Sequence, residues 1–83
     1  MSPQVVRSLI ENAFPNSTVE VLDPLHDGEH LQAVVVSDRF EGKTMIQQHR
    51  LVYSSVQSFI DSGELHALQL QTYTPEQWSK RQS

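Results

Sequence analysis

The run "LQAVVV" at residues 31–36 constrains the fold more than any other part of the chain. It ends in the longest purely apolar run of the sequence, Ala33 to Val36. β-branched residues favour strands, and a strand that is apolar on both faces is typical of the middle of a sheet. The run is far shorter than the roughly 20 residues that a membrane-spanning helix needs. It therefore predicts the central strand of a small globular domain.

Two other segments show the alternation of a half-buried strand. Residues 18–22, "TVEVL", alternate valine with polar residues, and residues 65–73, "LHALQLQTY", return to the same period of two. In the later segment the alternation predicts His66, Leu68 and Leu70 on one face, and Leu65 and Ala67 on the other. We therefore expect three strands, with His66 near the start of the last one.

The connection between the first two strands contains two of the four histidines. Its sequence, "DPLHDGEH", includes a proline, an aspartate and a glycine that favour turns, so an exposed loop is predicted. His30 immediately precedes the second predicted strand, whereas His26 lies nearer the apex of the loop.

Capping residues mark a helix near each end of the chain. A Ser-Pro pair at residues 2 and 3 matches an N-cap followed by an N1 proline, and this first helix is predicted to end near Phe14. Thr74 and Gln77 form the capping-box pattern around Pro75. The last helix is therefore expected to start there.

Two more helices are predicted between the second and third strands. Phe40 and Gly42 are expected to form the turn that leaves the second strand. Residues 44–53 then show helical spacing of Met45, His49, Val52 and Tyr53, which predicts a helix with these side chains on its inner face. A short helix follows, with Ser54 or Ser55 predicted as its cap and Gly63 as its left-handed end.

These elements give the order α-β-β-α-α-β-α. With 83 residues the chain can fill one hydrophobic core, so a single domain over residues 1–83 is expected. One three-stranded sheet with helices packed on a face satisfies the layer rule for an α+β domain. The fold class predicted from the sequence is therefore α+β.

Composition excludes several classes of function. The chain has no cysteine, which removes disulfides, thiolate metal ligands and cysteine nucleophiles. No zinc-protease, serine-triad or phosphate-loop motif is present, so an enzyme is not expected. The start "MSPQVVRSL" lacks the pattern of a secretory signal, which predicts the cytosol, or an organelle stroma or matrix if a transit peptide has been removed.

The charge distribution gives no overall basic footprint for nucleic acid. Residues 1–31 carry one cation and five acids, a balance of −4, which equals the formal net charge of the whole chain. A local cationic patch of Arg39, Lys43 and Arg50 remains open, beside the alternative of an ordinary solvated face. His49 shares a predicted helix face with Met45 and Val52, so we expect it to be half-buried and hydrogen-bonded to its surroundings.

The segment "VVVSDRFEGKTMIQQHRLVY", followed by "ELHALQLQTYTPEQW", resembles the BolA family in several spaced motifs at once. The hallmark is a strand, then F-x-G-K, then a helix bearing H-R-x-V-Y, and the match runs from Val34 to Trp78. The resemblance implies a fold like the type II KH domain. It also implies that the chain partners a monothiol glutaredoxin and shares a [2Fe-2S] cluster with it and with glutathione.

The resemblance also implies where the cluster would be held. The family's ligand histidine in the last strand maps onto His66, and its second ligand comes from the loop between the first two strands. That loop ligand is a cysteine in some members and a histidine in others, so His26 and His30 are both candidates here. The isolated chain is expected to hold no cluster, because two imidazoles without thiolate are a poor cluster site.

The rival interpretation is a regulator that binds nucleic acid through its KH-like or helix-turn-helix surface, formed by Arg39, Lys43, His49 and Arg50. A true KH domain grips the nucleic-acid backbone with a GXXG loop, and this chain has only Glu-Gly-Lys-Thr at residues 41–44. The sequence does not exclude DNA as a partner, leaves a homodimer open, and indicates no membrane association.

Overall fold

The computed structural model of the protein describes residues 2–27 and 30–82. The elements are helix α1 (Pro3–Ala13), strands β1 (Thr18–Leu22) and β2 (His30–Val36), a 3₁₀ turn (Asp38–Phe40), helices α2 (Met45–Ser54) and α3 (Gln57–Ser62), strand β3 (Ala67–Tyr73) and helix α4 (Pro75–Gln82). The α+β class and the predicted order of elements are confirmed, and β2 begins one residue earlier than predicted. No helix in this described part of the chain has the length and apolar character needed to cross a membrane.

The three strands form one sheet in the order β1-β2-β3. β1 and β2 pair antiparallel, whereas β2 and β3 pair parallel. Parallel neighbours require a long crossover, and here the crossover carries α2 and α3. The apolar β2 is the middle strand, which confirms the prediction from its β-branched run.

The core lies on one face of the sheet. Alternate strand residues point into it beside Val6 and Ile10 of α1 and Val52 of α2, all three of which are fully buried. The inward strand residues include Val19, Leu31, Ala33, Val35 and Leu68. The opposite face carries exposed polar residues such as Glu20, Gln32, Gln69 and Gln71. The sheet is therefore covered by helices on one face, as predicted.

The predicted caps of the outer helices are present. The Ser2 hydroxyl accepts a hydrogen bond from the Val5 N–H at 3.3 Å. The Thr74 hydroxyl accepts from the Gln77 N–H at 3.2 Å, and the Gln77 side-chain oxygen accepts from the Thr74 N–H at 3.0 Å. These reciprocal bonds satisfy backbone donors that the first helical turn leaves unpaired.

The start of α3 differs from the prediction, although its end agrees. Gly63 terminates α3 with a φ of +83°, as expected of a left-handed cap. No side chain caps the start of α3, and Val56 occupies the cap position. The Ser54 and Ser55 hydroxyls instead donate to carbonyls one turn back in α2, each at 2.6 Å. The predicted serine cap for α3 is therefore wrong, because the helix begins two residues after Ser55 and the cap position falls on Val56.

The turn after β2 confirms the expected use of Phe40 and Gly42. The Phe40 carbonyl accepts from the Lys43 N–H at 3.2 Å, Glu41 has φ −62° and ψ 133°, and Gly42 has φ +75°. These angles define a type II turn, whose third position favours glycine. Phe40 is fully buried, with its ring centroid 5.4 Å from that of Phe14. The turn therefore also anchors the core.

Three details of α2 and β3 differ from the prediction. Met45 is 67% exposed, and Gln48 takes an interior position on α2 instead. β3 begins at Ala67, so His66 lies just before the strand rather than within it. Leu65 is fully buried while Ala67 is exposed, because the Leu65 N–H is held by the Phe59 carbonyl at 3.0 Å and the regular alternation begins only after it.

Candidate functional site

The parallel pairing of β2 and β3 brings two of the candidate histidines together. His30 is the first residue of β2 and lies opposite Ala67, the first residue of β3. His66 directly precedes Ala67, and the centroids of the His30 and His66 rings are 5.2 Å apart with an interplanar angle of 60°. Both residues are exposed. Two imidazoles from distant parts of the sequence therefore meet at one accessible end of the sheet.

The His30 ring is oriented by a carboxylate of the preceding loop. Asp27 Oδ2 lies 2.8 Å from His30 Nδ1, and Asp27 Oδ1 accepts from the His30 backbone N–H at 3.0 Å. An ionised carboxylate can only accept hydrogen bonds, so the neutral His30 ring carries its proton on Nδ1. Its Nε2 then keeps a lone pair for another partner.

The other loop histidine does not join this pair. His26 is exposed and has a φ of +55°. Its backbone N–H donates to the Asp23 carbonyl at 3.1 Å, which closes a turn in the loop. Within residues 2–27 and 30–82, its ring contacts neither His30 nor His66. Of the two loop candidates, the structure places His30 beside His66.

The spacing of the paired rings is compatible with one shared metal ion. With metal–nitrogen bonds of about 2.1 Å and ring nitrogens about 1.2 Å from their centroids, a tetrahedral angle separates two ligand centroids by about 5.4 Å. The 5.2 Å between the His30 and His66 centroids is close to this value. In the described residues no group of three or more His, Cys, Asp or Glu side chains is arranged to hold a metal ion. The chain thus offers two donors at this position.

An open cleft of about 390 Å³ adjoins the histidine pair. It is lined by Pro24, Leu25, His30, Leu31, Gln32, Ala67 and Gln69. Leu25, in the β1–β2 loop, is 65% exposed. The surroundings of the pair therefore combine an apolar loop with polar strand side chains, and are open to another molecule.

Arg39 has a structural role at the end of α1. Its Nη1 donates to the Ala13 carbonyl at 3.0 Å, and its Cζ lies 5.9 Å from the centroid of the Phe14 ring. An arginine at a helix C-terminus satisfies a carbonyl that has no helical partner. Arg39 is thereby tied to α1, whereas Lys43, two residues before α2, and Arg50, within α2, are exposed.

His49 is half-buried, as expected, but its ring has no hydrogen bond within the described residues. With Met45 it lines a shallow cleft of about 120 Å³ against residues 70–73 of β3. The prediction that His49 is hydrogen-bonded to its surroundings is therefore wrong for this part of the chain.

Gln48 is 7% exposed, although the helical pattern of α2 did not predict it as a buried residue. Its Nε2 donates to the carbonyls of Phe40 at 3.2 Å and Lys43 at 3.0 Å, and its Oε1 accepts from the Thr72 hydroxyl at 2.7 Å. The amide thus connects α2 with the turn after β2 and with β3. The available signal was Thr72, a polar residue at an inward position of β3 that needs a buried partner.

These features describe a small α+β domain with an exposed histidine pair where a loop meets the parallel strands. The BolA-like protein family model matches residues 10–77. The chain therefore belongs to the BolA-like family, as the sequence motifs indicated.

Individual relatives agree with this assignment. The chain is 42% identical over 57 residues to a BolA-like protein of Dictyostelium discoideum, an alignment that covers 69% of this chain and 50% of that protein. It is 35% identical over 85 residues to the DNA-binding transcriptional regulator BolA of Escherichia coli, which covers 89% and 80% respectively. A solved BolA homologue from Coxiella burnetii superimposes with a TM-score of 0.81 at 36% identity, covering 95% of this chain and 97% of that one.

Proposed function

We propose that this BolA-family protein partners a monothiol glutaredoxin and shares a [2Fe-2S] cluster with it through His66 and His30. The observation that carries the proposal is the 5.2 Å separation of the two ring centroids on an exposed end of the sheet. Family membership supports it, because the sequence motifs align His66 with the family's ligand position. The proposal thus names His30, rather than His26, as the loop ligand.

The donor set suits such a cluster. Imidazole replaces thiolate on one iron of Rieske-type [2Fe-2S] centres, where two histidines bind the same iron. This chain has no cysteine, so every protein thiolate has to come from the partner. We infer that glutaredoxin contributes its active-site cysteine and that glutathione contributes a second thiolate. The isolated chain, with two neutral donors, is expected to stay without a cluster.

Reconstitution with defined variants tests the proposal. The chain is mixed with a monothiol glutaredoxin, glutathione, iron and sulfide, and visible circular dichroism follows the cluster. His30→Ala and His66→Ala should each abolish the spectrum of the mixed complex. His26→Asn is the matched control, because asparagine tolerates the left-handed backbone of residue 26 and removes the ring.

The outcomes are distinct. A wild-type spectrum for His26→Asn, together with loss in both other variants, supports the named ligands. A wild-type spectrum in His66→Ala would refute the cluster proposal. Loss in His26→Asn with retention in His30→Ala would refute the choice of His30 while leaving the shared cluster in place.

Nucleic-acid binding is a second candidate. The Escherichia coli relative is named a DNA-binding transcriptional regulator, and Lys43 and Arg50 are exposed here. Phosphate contacts would make affinity fall steeply with salt, and removing one contacting cation should reduce the slope of log K against log salt by about 1. Fluorescence anisotropy with duplex DNA at several salt concentrations measures this. A slope near zero, or one unchanged in Lys43→Ala and Arg50→Ala, would eliminate this role for the two cations.

A further inference from the structure

One carboxylate makes two contacts with a single residue of the histidine pair. Asp27 Oδ1 accepts from the His30 backbone N–H at 3.0 Å, while Asp27 Oδ2 lies 2.8 Å from Nδ1 of the same residue. The first contact ties the loop to the start of β2, and the second orients the ring. Asp27 therefore contacts both the backbone and the side chain of His30 and sets the direction of its ring.

The loop in turn holds Asp27 in place. The Asp27 N–H donates to Asp23 Oδ1 at 3.3 Å, and the His26 N–H donates to the Asp23 carbonyl at 3.1 Å. His26, the residue before Asp27, has a left-handed φ of +55°, which is typical of a tight turn. Side chains that bond to nearby backbone N–H groups in this way stabilise turns. The carboxylate of Asp27 is thus positioned by local hydrogen bonds before any partner arrives.

This arrangement selects one tautomer of the ring. A free neutral imidazole exchanges its proton between the two nitrogens, and the hydrogen bond made by one nitrogen decides which of them carries it. The carboxylate of Asp27 accepts a hydrogen bond from Nδ1–H, so Nε2 is left as the only ring nitrogen with an available lone pair. Metal-ligating histidines commonly have such a carboxylate on the nitrogen that does not bind the metal.

We propose that Asp27 is a positioning residue that holds His30 in its Nδ1–H form and so presents Nε2 as the metal-binding nitrogen. The inference rests on the proposed function, because it assigns a role to Asp27 at the same histidine pair. His66 has no equivalent carboxylate contact within the described residues. The two ligands therefore differ, since one is oriented before binding and the other is free to adjust.

The first test uses the isolated chain and does not depend on glutaredoxin. Histidine is labelled with ¹⁵N, and long-range proton–nitrogen correlation spectra are recorded at pH 8. In the wild type, His30 should show a protonated Nδ1 and an unprotonated Nε2. Asp27→Ala should give a mixture of tautomers, and Asp27→Asn should favour the opposite one, because an amide N–H can donate to Nδ1.

A matched control removes a charge without touching the histidine pair. Asp61→Asn changes an exposed carboxylate on α3 that accepts from the Gln57 side chain. It should leave the His30 nitrogen shifts unchanged. Preserved dispersion of the backbone amide signals in each variant excludes unfolding as the cause of any shift.

The second test measures the lifetime of the cluster in the mixed complex with glutaredoxin. Loss of an outer partner of this type typically costs 10–100-fold in metal affinity, so Asp27→Ala and Asp27→Asn should shorten the lifetime by at least 10-fold. A wild-type tautomer in both variants would overturn the inference, as would a changed tautomer with an unchanged lifetime. Retention of the cluster by His66→Ala would instead overturn the proposed function, and the tautomer measurement would still report on Asp27 alone.

Discussion

Replacing Gln48 with methionine tests whether the buried amide stabilises the fold. Methionine has similar length and no branch, so the substitution removes three hydrogen bonds with little change of shape. The Gln48 side chain donates to the carbonyls of Phe40 and Lys43 and accepts from the Thr72 hydroxyl. The loss of stability depends on whether these three groups keep another hydrogen-bond partner.

The three partners are affected unequally. The Phe40 carbonyl keeps a second donor, the Lys43 N–H at 3.2 Å, and the bond to the Lys43 carbonyl is only partly buried. Thr72 is 7% exposed, and its buried hydroxyl loses its acceptor. A buried group left unsatisfied costs about 1–3 kcal/mol, and an ordinary hydrogen bond contributes about 1 kcal/mol. We therefore expect Gln48→Met to lower the free energy of unfolding by about 2–3 kcal/mol.

Urea unfolding, followed by fluorescence of the single tryptophan, measures this loss. Trp78 is a suitable probe because its ring packs 5.4 Å from Tyr73 at the end of β3. A loss of 2–3 kcal/mol corresponds to a fall in Tm of about 10–20 °C for a domain of this size. Gln57→Met, on the exposed surface of α3, is the control and should change stability by less than about 0.5 kcal/mol.

A double-mutant cycle with Thr72→Val isolates the side-chain contact. Thr72→Val alone leaves the side-chain oxygen of Gln48, Oε1, without its donor, so it should lower the free energy of unfolding by about 1–2 kcal/mol. The double variant should then be about 1 kcal/mol more stable than the sum of the two losses predicts. Additive losses would refute the reasoning, and so would a Gln48→Met variant as stable as the control.

Three further predictions concern other parts of the chain. Arg39→Met should destabilise the protein by about 1 kcal/mol in urea unfolding, because the Ala13 carbonyl loses its donor. The control Arg50→Met should change stability by less than about 0.5 kcal/mol. Equal effects of the two substitutions would contradict the role of Arg39 at α1. Gly42→Ala should cost about 1 kcal/mol from the left-handed backbone alone, since no atom lies within 4 Å of the added carbon, and Gly42→Asn should cost less. The cluster that we propose the chain shares with glutaredoxin should be lost faster at mildly acid pH than at neutral pH, because a proton competes with the metal for the same ring nitrogen. Equal lifetimes by visible circular dichroism would argue against imidazole ligation.

Local signals in the sequence were sufficient for most of the secondary structure. The capping box at Thr74, the left-handed Gly63 and the β-branched run in β2 each act through neighbouring residues, so their consequences could be predicted without the tertiary structure. The prediction of which side chains are buried failed in α2, where Met45 and Gln48 both lie at helical spacing from Val52. The hydrogen bond from Thr72 decides between them, and that contact crosses 24 positions in the sequence.

The candidate site depends on a contact of the same non-local kind. The sequence alone kept both His26 and His30 open, because nothing within the loop shows which one faces β3. The register of a parallel pair is set by matching the inward residues of both strands, here Leu31 opposite Leu68 and Ala33 opposite Leu70. That register places His30 opposite Ala67 and hence beside His66.

Each histidine of the pair is exposed but follows or precedes a buried leucine. Leu31, after His30, is 1% exposed, and Leu65, before His66, is fully buried. Burying a leucine contributes about 1.5–3 kcal/mol, so neither backbone position can shift without exposing core. The backbone positions of the two histidines are therefore set by the packing of the core, while the ring of His30 is oriented by Asp27. It follows that changing the exposed Leu25 of the same loop should alter the docking of the proposed glutaredoxin partner without moving the backbone of either histidine.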